Sequence, residues 1–404
     1  LNYVNGAELV RYANQGVVTP DHTIRTKNYP LVVPAPEAGK LAEWKQAVEK
    51  AVAEYVAAYH AYFAKHNARA EPKKKTLDPL PRVILVPGVG LFGLGASAKD
   101  AAIAADIAEN TVEVITDSEG LSSYQPISEA DMFDVEYWSL EQAKLGKGAE
   151  KVLARQVCVV TGGGSGIGAA TAKAMAAEGA EVAVLDRDHD AALKAAKAIH
   201  KNALAIACDV TDPAAVKAAF AKVVEAFGGV DIVVSNAGAA WQGKIGEVEN
   251  ETLRKSFELN FFAHQAVAQA AVHVMKAQGT GGCLLFNTSK QAVNPGKDFG
   301  PYGLPKASTL FLMKQYALDY GKEGIRSNAV NADRIRSGLL TDEMVAARSK
   351  ARGLSEKDYM GGNLLGREVY ASEVAEAFVY LAHAEKTTAG VITVDGGNIE
   401  ASLR

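Results

Sequence analysis

Apolar and polar positions follow two regimes along this chain. From residue 151 onward, short apolar runs recur near 156–161, 181–186, 203–208, 230–235, 282–288, 325–331 and 391–394, with helix-periodic stretches between them. Apolar runs of this length read as strands buried on both faces. Their alternation with helices predicts a parallel sheet covered on both sides. Before 151 the pattern is less regular. Residues 1–40 show little periodicity, and Thr19-Pro-Asp-His-Thr-Ile-Arg-Thr-Lys27 is polar and reads as a loop. Residues 41–66 predict a helix, because Trp44, Val48, Val52, Tyr55, Val56, Tyr59 and Phe63 recur at helical spacing as a core face. Residues 67–81 are polar and basic, hold three prolines and Lys73-Lys-Lys75, and read as an exposed loop. Val83-Ile-Leu-Val86 is a candidate buried strand, Pro87-Gly88 follows, and 91–94 can form the returning strand. Residues 96–110 read as helix, and Val112-Glu-Val-Ile115 either extends it or begins a short apolar segment. Leu145-Gly-Lys-Gly-Ala149 reads as a linker, so two domains are expected, at 1–148 and 149–404.

Composition narrows the class. The chain has 404 residues, enough for two cores; 48% are hydrophobic and 22% charged, as in a soluble globular protein. A net charge of −4 leaves no whole-protein basic field for nucleic acid. No uninterrupted apolar stretch is long enough to span a bilayer, and no signal peptide is visible. Cys158, Cys208 and Cys283 are scattered, each within a predicted strand, so buried free thiols and a reducing cytoplasm are expected. The first residue is Leu1 rather than Met, which suggests a processed chain or a piece of something longer.

The candidate chemistry gathers at the strand ends. Thr161-Gly-Gly-Gly-Ser-Gly-Ile-Gly168 follows the first strand of the regular region, and a helix over 169–179 closes with Gly179. In a strand–turn–helix unit, Gly162, Gly166 and Gly168 serve a tight turn, close ligand approach and close helix–strand contact. The amides at the helix start face a pyrophosphate. Ser165 and Ile167 complete that turn. The second strand ends at Asp186, at the offset of a ribose-binding carboxylate, and Arg187 follows it. Asp209 and Val210 follow the third strand; Asp209 meets an adenine, or caps a helix before Thr211-Asp-Pro213, or both. Asn236-Ala237-Gly238 follows the fourth strand and belongs beside the glycine turn. Tyr302 and Lys306 are four residues apart on a predicted helix, hence on one face. A neighbouring ammonium lowers a tyrosine pKa, which would make Tyr302 a usable acid/base. Ser289 sits just after the fifth strand, and its hydroxyl can donate to a substrate oxygen. Asn260 lies within Glu258-Leu-Asn-Phe-Phe262.

Together these pieces, with Val394-Asp-Gly-Gly397, resemble the short-chain dehydrogenase/reductase family over about 150–404. The resemblance implies a Rossmann-like doubly wound parallel sheet and hydride transfer between a nicotinamide and a carbinol or carbonyl carbon. It implies that Tyr302 moves the hydroxyl proton, Ser289 orients the oxygen and Asn260 supports a water relay. Lys306 would hold the nicotinamide ribose and tune Tyr302. Asp186 favours NAD over NADP, because it would repel a 2′-phosphate, although Arg187 weakens that repulsion. One departure stands out: Ala332-Asp333 replaces the family's Pro-Gly after the sixth strand. Arg334 and Arg336 nearby either bind a substrate phosphate or carboxylate, or are solvated or paired with Asp.

Residues 83–110 resemble the end of a class II aldolase domain, which would make 1–148 a smaller, partial α/β domain. That family binds zinc through an HxH pair and a later His-Gly. No HxH occurs here, and the later position reads Pro87-Gly88. His22 is the notable histidine of the opening segment, and three or four ligands are needed, so no complete metal site is expected. The domain order resembles the carboxyl-terminal part of bifunctional rhamnulose-1-phosphate aldolase/alcohol dehydrogenases of bacterial sugar catabolism. The expected function is an NAD-dependent dehydrogenase for a small hydroxyaldehyde or sugar-derived alcohol, lactaldehyde-like. Its expected partners are that small molecule and further copies of the chain, as a dimer or tetramer, with no nucleic acid and no membrane. Two alternatives stay open: a bifunctional enzyme whose aldolase ligands lie upstream of Leu1, and a non-catalytic dinucleotide-binding or assembly protein. Retention of the whole catalytic set argues against the latter.

Overall fold

The computed structural model describes residues 1–146, 149–199, 202–337 and 340–397. The chain divides into two compact units, Leu1–Ala149 and Glu150–Arg404.

The first unit is built on a three-stranded sheet in which β1 (Leu31–Val32) runs parallel and β3 (Gly90–Gly93) antiparallel to the central β2 (Val83–Val86). Successive side chains of β2 point to opposite faces. Val83 and Leu85 pack with Val4, Leu9 and Ala108. Val86 and Ile84 meet Leu31, Val33 and the apolar stripe of the helix Leu41–Asn67. That stripe is a packing face, though a shallow one. Of its seven predicted members only Tyr59 is fully buried.

One expectation needs correction here, one alternative is settled and one stretch gains detail. The segment expected as a polar loop holds a helix, Pro20–Thr26, started by Thr19, whose hydroxyl accepts from the His22 amide, with Pro20 in the first turn. Thr-Pro at a helix start is a capping signal that polarity alone obscures. Ala98–Leu121 is one continuous helix, so Val112–Ile115 extends it. The stretch expected to lead into a linker contains two further helices, Glu129–Glu136 and Ser139–Ala143. The linker glycine Gly146 is described, while residues 147–148 lie outside the described residues.

The second unit is a seven-stranded, all-parallel sheet. Its strands are β4 (Val157–Thr161), β5 (Glu181–Asp186), β6 (Leu204–Ala207), β7 (Ile232–Ser235), β8 (Gly282–Ser289), β9 (Ile325–Ala332) and β10 (Val391–Val394). Their spatial order is β6-β5-β4-β7-β8-β9-β10, with every neighbour parallel. The period-2 alternation sorts each strand onto two cores. Val159, Leu185 and Val233 face one core with Phe220, Val267 and Met313 from the helices Pro213–Phe227, Ala263–Gln278 and Gly300–Tyr320. Cys158, Val184 and Ile232 face the other with Met175, Ala192 and Phe378 from Gly166–Ala177, His189–Ile199 and Ala371–His383. Strand order reverses between β4 and β7. In such a sheet the crevice at that switch point, beyond the strand carboxyl ends, is where ligands bind. Cys158 and Cys283 lie in strands, whereas Cys208 sits one residue past β6; all three are buried and free.

Candidate active site

The glycine turn is shaped by contacts no side chain could share. Gly162 has φ +60, and a Cβ on it would lie 2.9 Å from the Ala237 Cα. A Cβ on Gly168 would fall 2.1 Å from the Gly162 carbonyl oxygen. The Gly163 amide donates to the Leu185 carbonyl at 3.1 Å, which ties the turn to β5. The helix starts at Gly166, three residues earlier than its apolar pattern suggests. Ser165 occupies the N-cap in extended conformation, yet its side chain makes no capping hydrogen bond. Every ingredient of an N-cap is present, but the protein's own oxygen is withheld from these amides. A bare helix start against a side-chain-free turn fits a pyrophosphate. Ile167 packs against the core beneath.

The acidic arm is equally ordered. Asp186 accepts from the Gly164 amide at 3.0 Å and from the Asp188 amide at 3.1 Å. Arg187 is exposed. Asp209 accepts from the Thr211 hydroxyl at 2.7 Å and amide at 2.9 Å; these bonds, and more weakly the charge of Arg187, hold its carboxyl below the ordinary range. Asp209 is therefore not the helix cap. Asp212 is, accepting from the Ala214 amide at 2.9 Å. Val210 is buried beside it.

Between turn and reaction centre runs a chain of buried and half-buried polar groups. Thr161 Oγ1 accepts from the amides of Asn236, at 2.9 Å, and Ala237, at 3.2 Å. Asn236 Nδ2 donates to the carbonyls of Thr161 and Gly162 at 3.0 and 3.2 Å. Asn287 Nδ2 donates to Asn236 Oδ1 at 2.7 Å, and the Asn287 carbonyl accepts from Lys306 Nζ at 2.9 Å. A Cβ on Gly238 would lie 2.9 Å from Asn260 Oδ1 and 3.4 Å from Lys306 Nζ. That glycine lets β7's end approach both.

Tyr302 and Lys306 share a face of the helix Gly300–Tyr320, with Lys306 Nζ 5.9 Å from the tyrosine ring centre. Tyr302 hydrogen-bonds Ser289, which lowers its pKa, but burial outweighs that and pushes it up to about 12. The expectation that the ammonium sets the tyrosine's pKa is thus corrected: desolvation dominates, and Asp333 adds to it. Burial also acts on Lys306, 2% exposed, and brings it down to about 7. Asn260 sits in a widened, π-helical turn, Glu258–Phe262, and is fully buried. Its side-chain Nδ2 donates to the Ala239 carbonyl at 2.8 Å and to Ser256 Oγ at 3.1 Å, while its backbone carbonyl accepts from Thr309 Oγ1 at 2.6 Å.

The departure after β9 has a definite form. Asp333 lies 4.0 Å from Lys290 Nζ, and Arg334 takes φ +53. Arg334 donates to the carbonyls of Tyr359 and Gly362 at 2.9 and 3.1 Å. Arg336 pairs with Asp342 at 2.5 Å and Glu368 at 2.7 Å. Both arginines are thus held by the protein, the paired reading of the two. His22 is likewise occupied, with Nδ1 2.5 Å from Thr19 Oγ1 and Nε2 3.3 Å from Asn110 Oδ1. Among the described residues, no cluster of three His, Cys, Asp or Glu side chains could hold a metal.

Reading the sequence by motif missed Asn287, Ser235, His264 and Thr309. The signals were available: Asn287 is a polar residue inside an apolar strand, and His264 follows Asn260 by four, as Lys306 follows Tyr302.

Known proteins resemble both units of the chain. Residues 1–145 match the family model "Aldolase class II, second domain", and residues 162–398 match "Enoyl-(Acyl carrier protein) reductase". The uncharacterized oxidoreductase YuxG of Bacillus subtilis (strain 168) is 32% identical over 98% of this chain, which spans 59% of that relative's length. An L-rhamnose 1-dehydrogenase (NAD(P)(+)) of Sphingomonas sp. (strain SKA58) is 31% identical over 61% of this chain and 97% of its own. The crystal structure of 3-ketoacyl-(acyl-carrier-protein) reductase from Brucella melitensis complexed with NADH superposes with a TM-score of 0.55. It is 30% identical over 60% of this chain and 97% of its own.

Proposed function

This chain belongs to the short-chain dehydrogenase/reductase family, NAD(P)-dependent oxidoreductases acting on CH–OH groups, and from that premise we propose that it interconverts a secondary or primary hydroxyl and a carbonyl on a small polyhydroxylated substrate. That substrate is a sugar-derived alcohol or hydroxyaldehyde of the lactaldehyde kind. The observation that carries the reading is the meeting of the Ser289–Tyr302 hydrogen bond with buried Lys306 beside the glycine turn. The L-rhamnose dehydrogenase among its relatives supports the substrate class.

A bound nicotinamide dinucleotide supplies the hydride acceptor or donor. In this proposal the uncapped amides after Ser165 take its pyrophosphate, Asp186 its adenosine ribose, and Asn236, Ala237 and Gly238 line its path. Ser289 donates to the substrate oxygen. In the oxidation direction Tyr302, as a phenolate stabilised by a protonated Lys306 nearby, takes the hydroxyl proton and becomes the neutral phenol; in the reverse direction the phenol returns it. Its lowered pKa lets Lys306 change protonation near neutrality, which suits a group that passes a proton onward. Asp186 in the ribose position favours NAD over NADP. Exposed Leu304, Phe311 and Leu318, spaced by seven on one helix, support self-association as a dimer or tetramer. Three free buried thiols support a reducing, cytoplasmic setting.

A panel of sugars, polyols and hydroxyaldehydes, followed by cofactor absorbance with NAD and NADP in turn, tests the reading. Turnover of a polyhydroxylated alcohol with NAD is expected. Turnover confined to hydrophobic alcohols or acyl thioesters would refute the substrate class, and tighter calorimetric binding of NADP would refute the cofactor choice.

A further inference from the structure

Beside Lys306 lies a buried histidine that the mechanism above does not use. His264 is 1% exposed, on the helix Ala263–Gln278 one turn after Asn260. Its Nε2 lies 3.4 Å from Lys306 Nζ, and its Nδ1 lies 2.6 Å from Ser235 Oγ at the end of β7. The Phe286 ring of β8 closes its flank at 6.3 Å. An ammonium has protons and no lone pair, so Nε2 accepts from it; a neutral imidazole then carries its proton on Nδ1 and donates to Ser235.

We propose that His264 is a positioning residue for Lys306: held on Ser235 as the neutral Nδ1–H tautomer, it accepts one lysine N–H while the Asn287 carbonyl accepts a second, leaving the third for the cofactor side of the site. The neighbours agree. The charged group acting on His264 is Lys306 itself, which together with burial keeps the imidazole well below its ordinary pKa and hence neutral. On Lys306 burial acts with no carboxylate opposing it, so its charged form rests on neutral acceptors. Asn260 Oδ1 approaches from the Gly238 side, and Asp333 acts on Tyr302 rather than on the lysine. Without His264 the ammonium loses one of two acceptors, and its pKa falls further.

The inference rests on the dehydrogenase reading only for Lys306's role, so its test has an arm that needs no turnover. In the full chain labelled with 15N-histidine, the resonance lost in His264→Phe is expected to show the Nδ1–H tautomer and to stay neutral through the ordinary histidine range. An Nε2–H tautomer, or titration near the ordinary value, overturns the assignment. In the second arm, NAD affinity is followed by calorimetry across pH. The charged lysine is the stronger donor, so affinity falls as Lys306 deprotonates. His264→Phe is expected to move that midpoint down by about one pH unit, a tenfold change in the protonation equilibrium. His264→Gln, which restores an acceptor, should return it toward the native value. An unmoved midpoint in folded His264→Phe, or no rescue by Gln, overturns the proposal. Failure to bind either dinucleotide would instead defeat the functional reading and leave the tautomer result standing.

Discussion

Each unit buries a lysine, and the two are kept in opposite ways. Lys27, in the first unit, lies 3.7 Å from Glu136 Oε1 and 3.8 Å from the centre of the Tyr59 ring. Burial pushes it down to about 8 and pushes Glu136 up, while each partner's charge pulls the other back. Tyr59 bonds both Glu136, at 2.8 Å, and Tyr137, at 2.7 Å, so the pair is enclosed by rings. Lys306, in the second unit, has no such counter-charge among the groups shifting its pKa and leans on a carbonyl and an imidazole. A buried lysine given a carboxylate is a fastening. A buried lysine denied one is poised to change its charge near neutral pH.

The sharpest way to break this contrast is at the tyrosines. Tyr302→Phe keeps the ring and removes the acid/base, so turnover should fall by about 10²-fold or more with NAD affinity little changed. Tyr59→Phe should leave turnover alone and lower only the stability of the first unit. Equal losses of turnover in both would erase the distinction.

Next in size is the fastening itself. Glu136→Gln strands a buried ammonium, and breaking such a pair costs about 3–5 kcal/mol. Denaturant melts should show the first unit unfolding earlier while dinucleotide binding by the second persists. Loss of binding together with stability would mean that the pair serves the reaction.

The pH dependence sharpens the contrast further. A lysine whose folded pKa is lowered binds fewer protons folded than unfolded between the two values. Stability contributed by Lys306 therefore rises from about pH 7 toward the ordinary lysine value of 10.5. Lys27 contributes a similar rise from about 8. Tyr302, raised to about 12, works the other way and costs stability as the pH climbs from 10 to 12. Thermal melts of the unliganded protein should thus improve from neutrality to about pH 10, at no more than about 1.4 kcal/mol per pH unit for each group. Lys306→Met should flatten that rise for the second unit only, and a rise that survives both Lys306→Met and Lys27→Met would assign it elsewhere.

The smallest expected effect is zinc. With His22 occupied on both nitrogens, added zinc should change neither the melting of the first unit nor give cleavage of rhamnulose 1-phosphate. Stoichiometric zinc after dialysis, with brisk cleavage, would reverse that.

Much of the second unit was legible because its two periods differ. Strands buried on both faces stand out as apolar runs, and every predicted strand has its counterpart from β4 to β10. Site residues were legible where they break a pattern at a strand end, as Asp186, Asn236 and Ser289 do. The first unit was harder. Its helix Pro20–Thr26 is marked by a cap rather than a stripe, and Glu129–Glu136 buries Met132, Phe133 and a glutamate together. A buried carboxylate reads as surface until its lysine is found in space. Asn287 and His264 stayed hidden for a similar reason. Their partners are 51 and 42 residues away along the chain, and only the fold brings them together.

The bond chain from Thr161 through Asn236 and Asn287 to Lys306 has a consequence for how such an enzyme can be altered. It crosses β4, β7 and β8 and ends at the proton-transfer helix, so a change at any link is felt at the others. Asp186 stands outside it: among the described residues its carboxylate accepts from the amides of Gly164 and Asp188. If Asp186 holds the adenosine ribose as proposed, dinucleotide preference can drift, or be redesigned, by single steps on the β5 side. The reaction centre has to be rewritten several residues at once.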